Sequence, residues 1–280
     1  MSPRLAAVLV AASLVGACFT KVVTDDDIFT PARIHPLDAG LEIQRVEIPV
    51  EPQVVLGGWW IDRNATQTIL LLHDDGNLFG TIPVLNVLYR LNANLLAVDY
   101  RGYGYSSGRP SEEGLYRDVV AAFDFLAGGK GIPPPSIVVY GRRLGASLAL
   151  ELATARKPGG LILEGVFTSV AELFGFMDSQ LPFYLSIEVE PDERFDNLDK
   201  AARCKVPVLV VNSLMSNSFR SHAEAVFARI ASEDKKLVKI DGTIEDKPEE
   251  YQRLFAEFLG GLARQMPDDS NDGHDRRRGG

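Results

Sequence analysis

Thr68–His73, Asn94–Asp99, Ser136–Tyr140, Gly160–Glu164 and Val206–Val211 are short, nearly unbroken apolar runs. A strand with one wet face alternates apolar and polar residues, so a run apolar throughout reads as a strand buried on both faces. Helical spacing fills the gaps, at Ile82–Leu91, Ser111–Leu126, Leu144–Ala155, His222–Ile230 and Pro248–Leu262. Ser111 is placed to N-cap its helix, with Glu112 and Glu113 at the positive helix start. Strands that alternate with helices predict a mainly parallel, doubly wound α/β sheet of about eight strands with helices on both faces. Leu41–Ile61 alternates well enough for two antiparallel strands, and Lys236–Ile240 supplies a last one.

The ends of the chain do not share this pattern. Arg4 and the apolar run Leu5–Gly16 form a signal-like start that is too short to span a bilayer. It closes in Leu14-Val15-Gly16-Ala17-Cys18, which resembles a bacterial lipobox. That resemblance implies cleavage after residue 17, a lipid on Cys18 and attachment to a membrane face of the cell envelope. A plain secretory signal with an incidental cysteine is the alternative. Residues 18–40 read as an extended tether, residues 41–266 as the folded domain and residues 267–280 as a disordered tail. Residues 167–200, broken at Pro182 and Pro191, read as a small lid. A net charge of −9 argues against nucleic acid and polybasic membrane contact. The residue spacing offers no metal site and no cofactor fingerprint.

One junction carries chemistry. The strand Ser136–Tyr140 runs through Gly141-Arg142-Arg143-Leu144-Gly145 into a helix. A strand, a glycine-bounded turn and a helix make a nucleophile elbow, with the pattern G-x-S-x-G. Arg143 stands where the serine belongs. Gly104-Tyr105-Ser106-Ser107-Gly108 matches the same pattern, but no strand enters it directly and no helix starts at Ser106. Ser147 lies one turn into the helix and is expected to pack under the sheet. His73 ends a buried strand and reads as packed or hydrogen-bonded there; His222 sits on an amphipathic helix and reads as a structural or surface histidine. Cys204 lies at the N-terminal end of a strand, away from the end where open parallel sheets place active sites.

Residues 41–262 resemble the α/β-hydrolase superfamily, in particular its short-lid branch of serine-aminopeptidase-like and thioesterase-like proteins. The resemblance rests on Leu95-Leu96-Ala97-Val98-Asp99-Tyr100-Arg101-Gly102-Tyr103-Gly104, on Pro110–Leu115, on Arg194-Phe195-Asp196-Asn197-Leu198 and on Lys205–Val211. It implies a nucleophile at the elbow, an acid after the Val206–Val211 strand, a histidine after the last strand and an oxyanion loop after the Thr68–His73 strand. Those places hold Arg143, Ser216 (to within a residue or so), Glu245 and Asp74. A guanidinium stays protonated and cannot attack a carbonyl. A carboxylate at the oxyanion loop would oppose the developing negative charge.

The expected function is therefore a lipid-anchored, non-catalytic hydrolase homologue acting in binding or envelope interaction. An esterase, thioesterase or peptidase-like enzyme with a non-standard site is the alternative. Asp74, Asp75, Glu245 and Asp246 all fall on loops at the C-terminal ends of strands. They are expected to form an ion-pair cluster with Arg143, which should meet at least one of Asp74 and Glu245.

Overall fold

The computed structural model describes residues 19–23, 29, 41–74, 77–178, 185–189, 194–213 and 217–265. Its strands are β1 (Phe19–Val23), β2 (Gln44–Glu51), β3 (Val54–Ile61), β4 (Thr68–Leu72), β5 (Asn94–Val98), β6 (Ile137–Arg142), β7 (Gly160–Glu164), β8 (Leu185–Val189), β9 (Val208–Ser213) and β10 (Lys235–Ile240). The helices are α1 (Ile82–Leu88), α2 (Glu112–Asp124), α3 (Leu144–Ala155), α4 (Val170–Asp178), α5 (Asn197–Arg203), α6 (Asn217–Arg229) and α7 (Pro248–Ala263).

Eight of the strands form one sheet in the order β10-β9-β7-β6-β4-β5-β3-β2. The pairs β2/β3 and β3/β5 are antiparallel, and the others are parallel. Every residue of β4, β5, β6, β7 and β9 is buried, as unbroken apolar runs require. The edge strands differ. β10 carries Lys235, half-buried, and the exposed Lys236 and Lys239, and β2 carries Pro49 with a register shift beside it. Both are devices that keep an edge from pairing further. One core lies between the sheet and α2, α3 and α6; the other lies between the sheet and α1 and α7.

Local chemistry sets the helix limits. Ser111 Oγ accepts the Gly114 amide at 3.1 Å, and Asp196 caps α5 through the Asp199 amide at 3.2 Å. α2 stops at Asp124 and continues as a wider turn through Gly129, so the helix is shorter than its apolar spacing predicts. α6 starts at Asn217, ahead of the expected start near His222.

The expectation for residues 18–40 was an extended tether, and the structure gives parts of it definite places. β1 pairs in parallel with β8, which lies within residues 167–200, and Phe29 is buried in the domain core. The tail at 267–280 lies outside the described residues.

Candidate functional site

The junction between β6 and α3 is a sharp elbow. Arg143 has φ 45° and ψ −105°, a region costing on the order of 1–3 kcal/mol for a residue with a side chain. The two flanking glycines are structurally required. A Cβ on Gly141 would lie 2.2 Å from the Gly145 carbonyl oxygen, and one on Gly145 would lie 2.1 Å from that of Leu72. The Arg143 amide donates to the Glu164 carbonyl at 2.8 Å, and its carbonyl accepts from Ala146 at 3.1 Å. The strained turn is thus fixed by backbone alone, whatever side chain it carries.

That side chain is a guanidinium. Arg143 Nη1 stands 3.3 Å from Asp74 Oδ2 on the loop after β4. The pair is partly open to water, with Arg143 43% exposed and Asp74 22%. Glu245 does not join it. Glu245 takes the neighbouring Arg142 instead, with Nη1–Oε1 at 3.0 Å and Nη2–Oε2 at 3.4 Å. Asp246 bonds within its own turn, its carboxylate accepting the Thr243 amide at 3.0 Å and hydroxyl at 2.9 Å. Asp75 and Ser216 lie outside the described residues.

Behind the elbow lies a buried network that the sequence reading missed. Arg142 Nε sits 3.1 Å from Glu164 Oε2, and both side chains are under a tenth exposed. Glu164 also accepts the Tyr140 hydroxyl and, at 3.2 Å, the Tyr251 hydroxyl. Burial pulls the Arg142 guanidinium down, but Tyr140, Glu164, Asp74 and Glu245 together hold it above its ordinary value. Burial raises the Glu164 carboxyl, against the pull of Arg142 and the tyrosines. A signal for this network was available. Tyr140 and Arg142 share one face of β6, and Glu164 ends an otherwise apolar strand.

Comparison with known proteins settles what this frame is. An esterase of Pyrococcus furiosus superposes with a TM-score of 0.69 at 21% identity, over 83% of this chain and 99% of that one. A proline iminopeptidase of Mycobacterium smegmatis gives a TM-score of 0.62 at 14% identity, over 79% and 99%. This chain has the α/β-hydrolase fold. No protein-family model matches it. An uncharacterized protein of Mycobacterium tuberculosis is 29% identical over 223 residues, 78% of this chain and 77% of that protein. The human alpha/beta hydrolase domain-containing protein 17B is 30% identical over 169 residues, 59% of this chain and 56% of that protein.

Within this α/β-hydrolase fold the other candidate groups have structural partners. Ser106 Oγ donates to the Asp99 carbonyl at 2.6 Å and accepts the Gly57 amide at 2.9 Å, so it ties two loops together. Ser147 is buried and accepts Asn197 Nδ2 at 2.7 Å. His73 is fully buried and stacked on Tyr100 at 4.3 Å, with no hydrogen-bond partner on either ring nitrogen. Burial lowers its pKa to about 4. Its neighbour Asp99, 3.9 Å away, is raised by burial to about 6, although the Leu78 and Tyr105 amides donate to it. His222 Nδ1 lies 2.7 Å from Thr168 Oγ1, which also meets Glu172. Among the described residues, no group of three or more His, Cys, Asp or Glu is placed to hold a metal.

Proposed function

We propose that this chain is a non-catalytic α/β-hydrolase-fold protein, held on a membrane by a lipid on Cys18, that works by binding at the cell envelope. The observation that carries the reading is Arg143 at the apex of an intact, strained elbow, with its guanidinium against Asp74. In a serine hydrolase that apex presents an oxygen nucleophile, and the loop holding Asp74 presents amides to an oxyanion. A cation and a carboxylate in those two places support binding over acyl transfer. Glu245, where the resemblance implies a histidine, is engaged by Arg142 and is no free base. Cys18 lies outside the described residues, and its role rests on the lipobox-like sequence alone. Among the described residues no helix is long and apolar enough to cross a membrane.

A fluorophosphonate probe tests the catalytic half of this proposal. The purified domain is expected to remain unlabelled, and Arg143→Ser alone is expected to gain nothing, because Glu245 and Asp74 stay as they are. Labelling of the unmodified protein that disappears in Ser106→Ala would return the esterase-like reading. For the anchor, cells fed an alkyne fatty acid should label the chain, and Cys18→Ser should abolish the label.

A further inference from the structure

β2 and β3 have one face in the core and one turned outward. Val46, Ile48, Leu56 and Trp60 pack into the core on the α2 side. On the opposite face the register sets Arg45 beside Trp59, Glu47 beside Gly57 and Pro49 beside Val55. Trp59 is buried there in the second core. Toward Val55 the cover stops. Val55 and Tyr105, at 37% and 41%, are the two large apolar side chains most open to water among the described residues. Both line one groove of about 430 Å³, together with Arg45, Glu47, Gly57 and Trp59. Exposed apolar surface rimmed by charge marks an interaction site more often than a bare surface does.

The groove has its own knob. A Cβ on Gly57 would lie 2.7 Å from Tyr105 Cβ, so the bare glycine seats Tyr105 directly on the strand. The Arg45 guanidinium carbon lies 5.2 Å from the centre of the Tyr105 ring, a stacking that holds the charge in place before any partner arrives.

Charge on this face is ordered. Arg45 and Glu47 are both exposed, two residues apart on one face of β2, and opposite in sign. No ion pair among the described residues uses either one. Such a face is its own complement. A two-fold axis through the groove turns the Arg45 of each copy toward the Glu47 of the other, and each Tyr105 toward the other groove. A net charge of −9 makes two copies repel, so contact needs paired charges as well as apolar surface. Pro49 opposes pairing along the edge of β2, which leaves the face for the contact.

We propose that two copies of this chain pair through this face about a two-fold axis, with Arg45 of each against Glu47 of the other around Val55 and Tyr105. The pairing goes beyond the binding role above. It stands whether or not Cys18 carries a lipid, and the groove includes neither Arg143 nor Asp74. With two apolar anchors in each copy the dimer is weak, with a dissociation constant on the order of micromolar.

Sedimentation velocity on the full chain, in one buffer throughout, tests this. A dimer that grows with concentration is expected. Arg45→Glu and Glu47→Arg each bring like charges together twice per dimer, and each should raise the dissociation constant by about tenfold or more. Mixing the two single variants in equal amounts should restore the dimer, because every charge contact across the axis is then between opposite signs. Val55→Glu, which puts a charge in the apolar centre of the face, should leave the chain monomeric. All three substitutions fall at exposed positions, so the fold is expected to survive them. A chain that stays monomeric at every concentration leaves the groove to another occupant and overturns the proposal. So does a dimer that neither charge variant weakens, or a weakening that mixing does not reverse.

Discussion

Arg142 and Arg143 are neighbours in sequence and differ sharply in environment. The Arg142 side chain is 9% exposed and meets two glutamates, whereas Arg143 is 43% exposed and meets Asp74. Removing one partner of a buried ion pair strands the other charge, at a cost of about 3–5 kcal/mol. Arg142→Ala should therefore destabilise the fold by about that much in chemical denaturation, with Glu164 left buried. An exposed pair contributes about 0–1 kcal/mol, so Arg143→Ala should shift stability by no more than that. Arg143→Gly should do better. It loses the same pair but relieves the positive φ, and a net gain of about 1 kcal/mol is expected in the same experiment. A loss on Arg143→Gly equal to that of Arg143→Ala would show that the apex holds no strain.

His73 and Asp99 make a second residue-scale prediction, with opposite signs. Asp99 is raised from 3.8 to about 6 on folding. Its contribution is fully present below pH 3.8 and is lost as pH rises through 6. His73 is lowered from 6.5 to about 4. Its contribution is present above pH 6.5 and is lost as pH falls through 4. Between pH 4 and 6 the two oppose each other, so stability should change little there. Asp99→Asn removes one of them, and stability should then fall steadily from pH 6.5 to 4, by up to about 3 kcal/mol. A flat profile in that variant would mean that His73 does not stay neutral.

At the scale of elements, the elbow depends on contact between backbones. Gly145 lets α3 approach the end of β4 closely, and a single methyl there meets a main-chain oxygen at 2.1 Å. The obstacle is backbone on both sides and cannot rotate away. Gly145→Ala should cost about 4 kcal/mol or more, the range reserved for severe overpacking, and should fail to give a stable fold in thermal melts. By contrast, a Cβ on Gly128 in the turn after α2 meets nothing within 4 Å, so Gly128→Ala should be close to neutral. The elbow glycines were legible in the sequence because their spacing is part of a known turn. The turn at Phe195, with φ 45°, was not. Its left-handed backbone depends on Glu112, over 80 residues earlier in the chain, and no local pattern announces such a partner.

For the whole molecule, Cys204 reports on global opening. It is buried at the sheet end opposite the elbow, and burial pushes its thiol up to about 11. The reactive species is the thiolate. A thiol reagent at pH 8 should leave Cys204 of the folded protein unlabelled, and its labelling should follow the unfolding curve in denaturant. Rapid labelling of the native state would place Cys204 outside the core.

The sequence by itself determined the layered sheet, because runs apolar on both faces can only be central strands under two layers of helices. It also determined that an arginine sits at the elbow, because the glycines that frame the apex act through local backbone geometry. What it left open was partnership. Arg143, Asp74, Glu245 and Asp246 were all visible as charges on converging loops, but the residue facing each one depends on side-chain direction across strands far apart in the chain. Only the tertiary structure gave Glu245 to Arg142, Asp74 to Arg143 and Asp246 to its own turn. It alone brought Phe29, from a segment that reads as tether, onto the ring of Phe195, since a lone aromatic in a polar stretch carries no periodic signal of the pocket it fills.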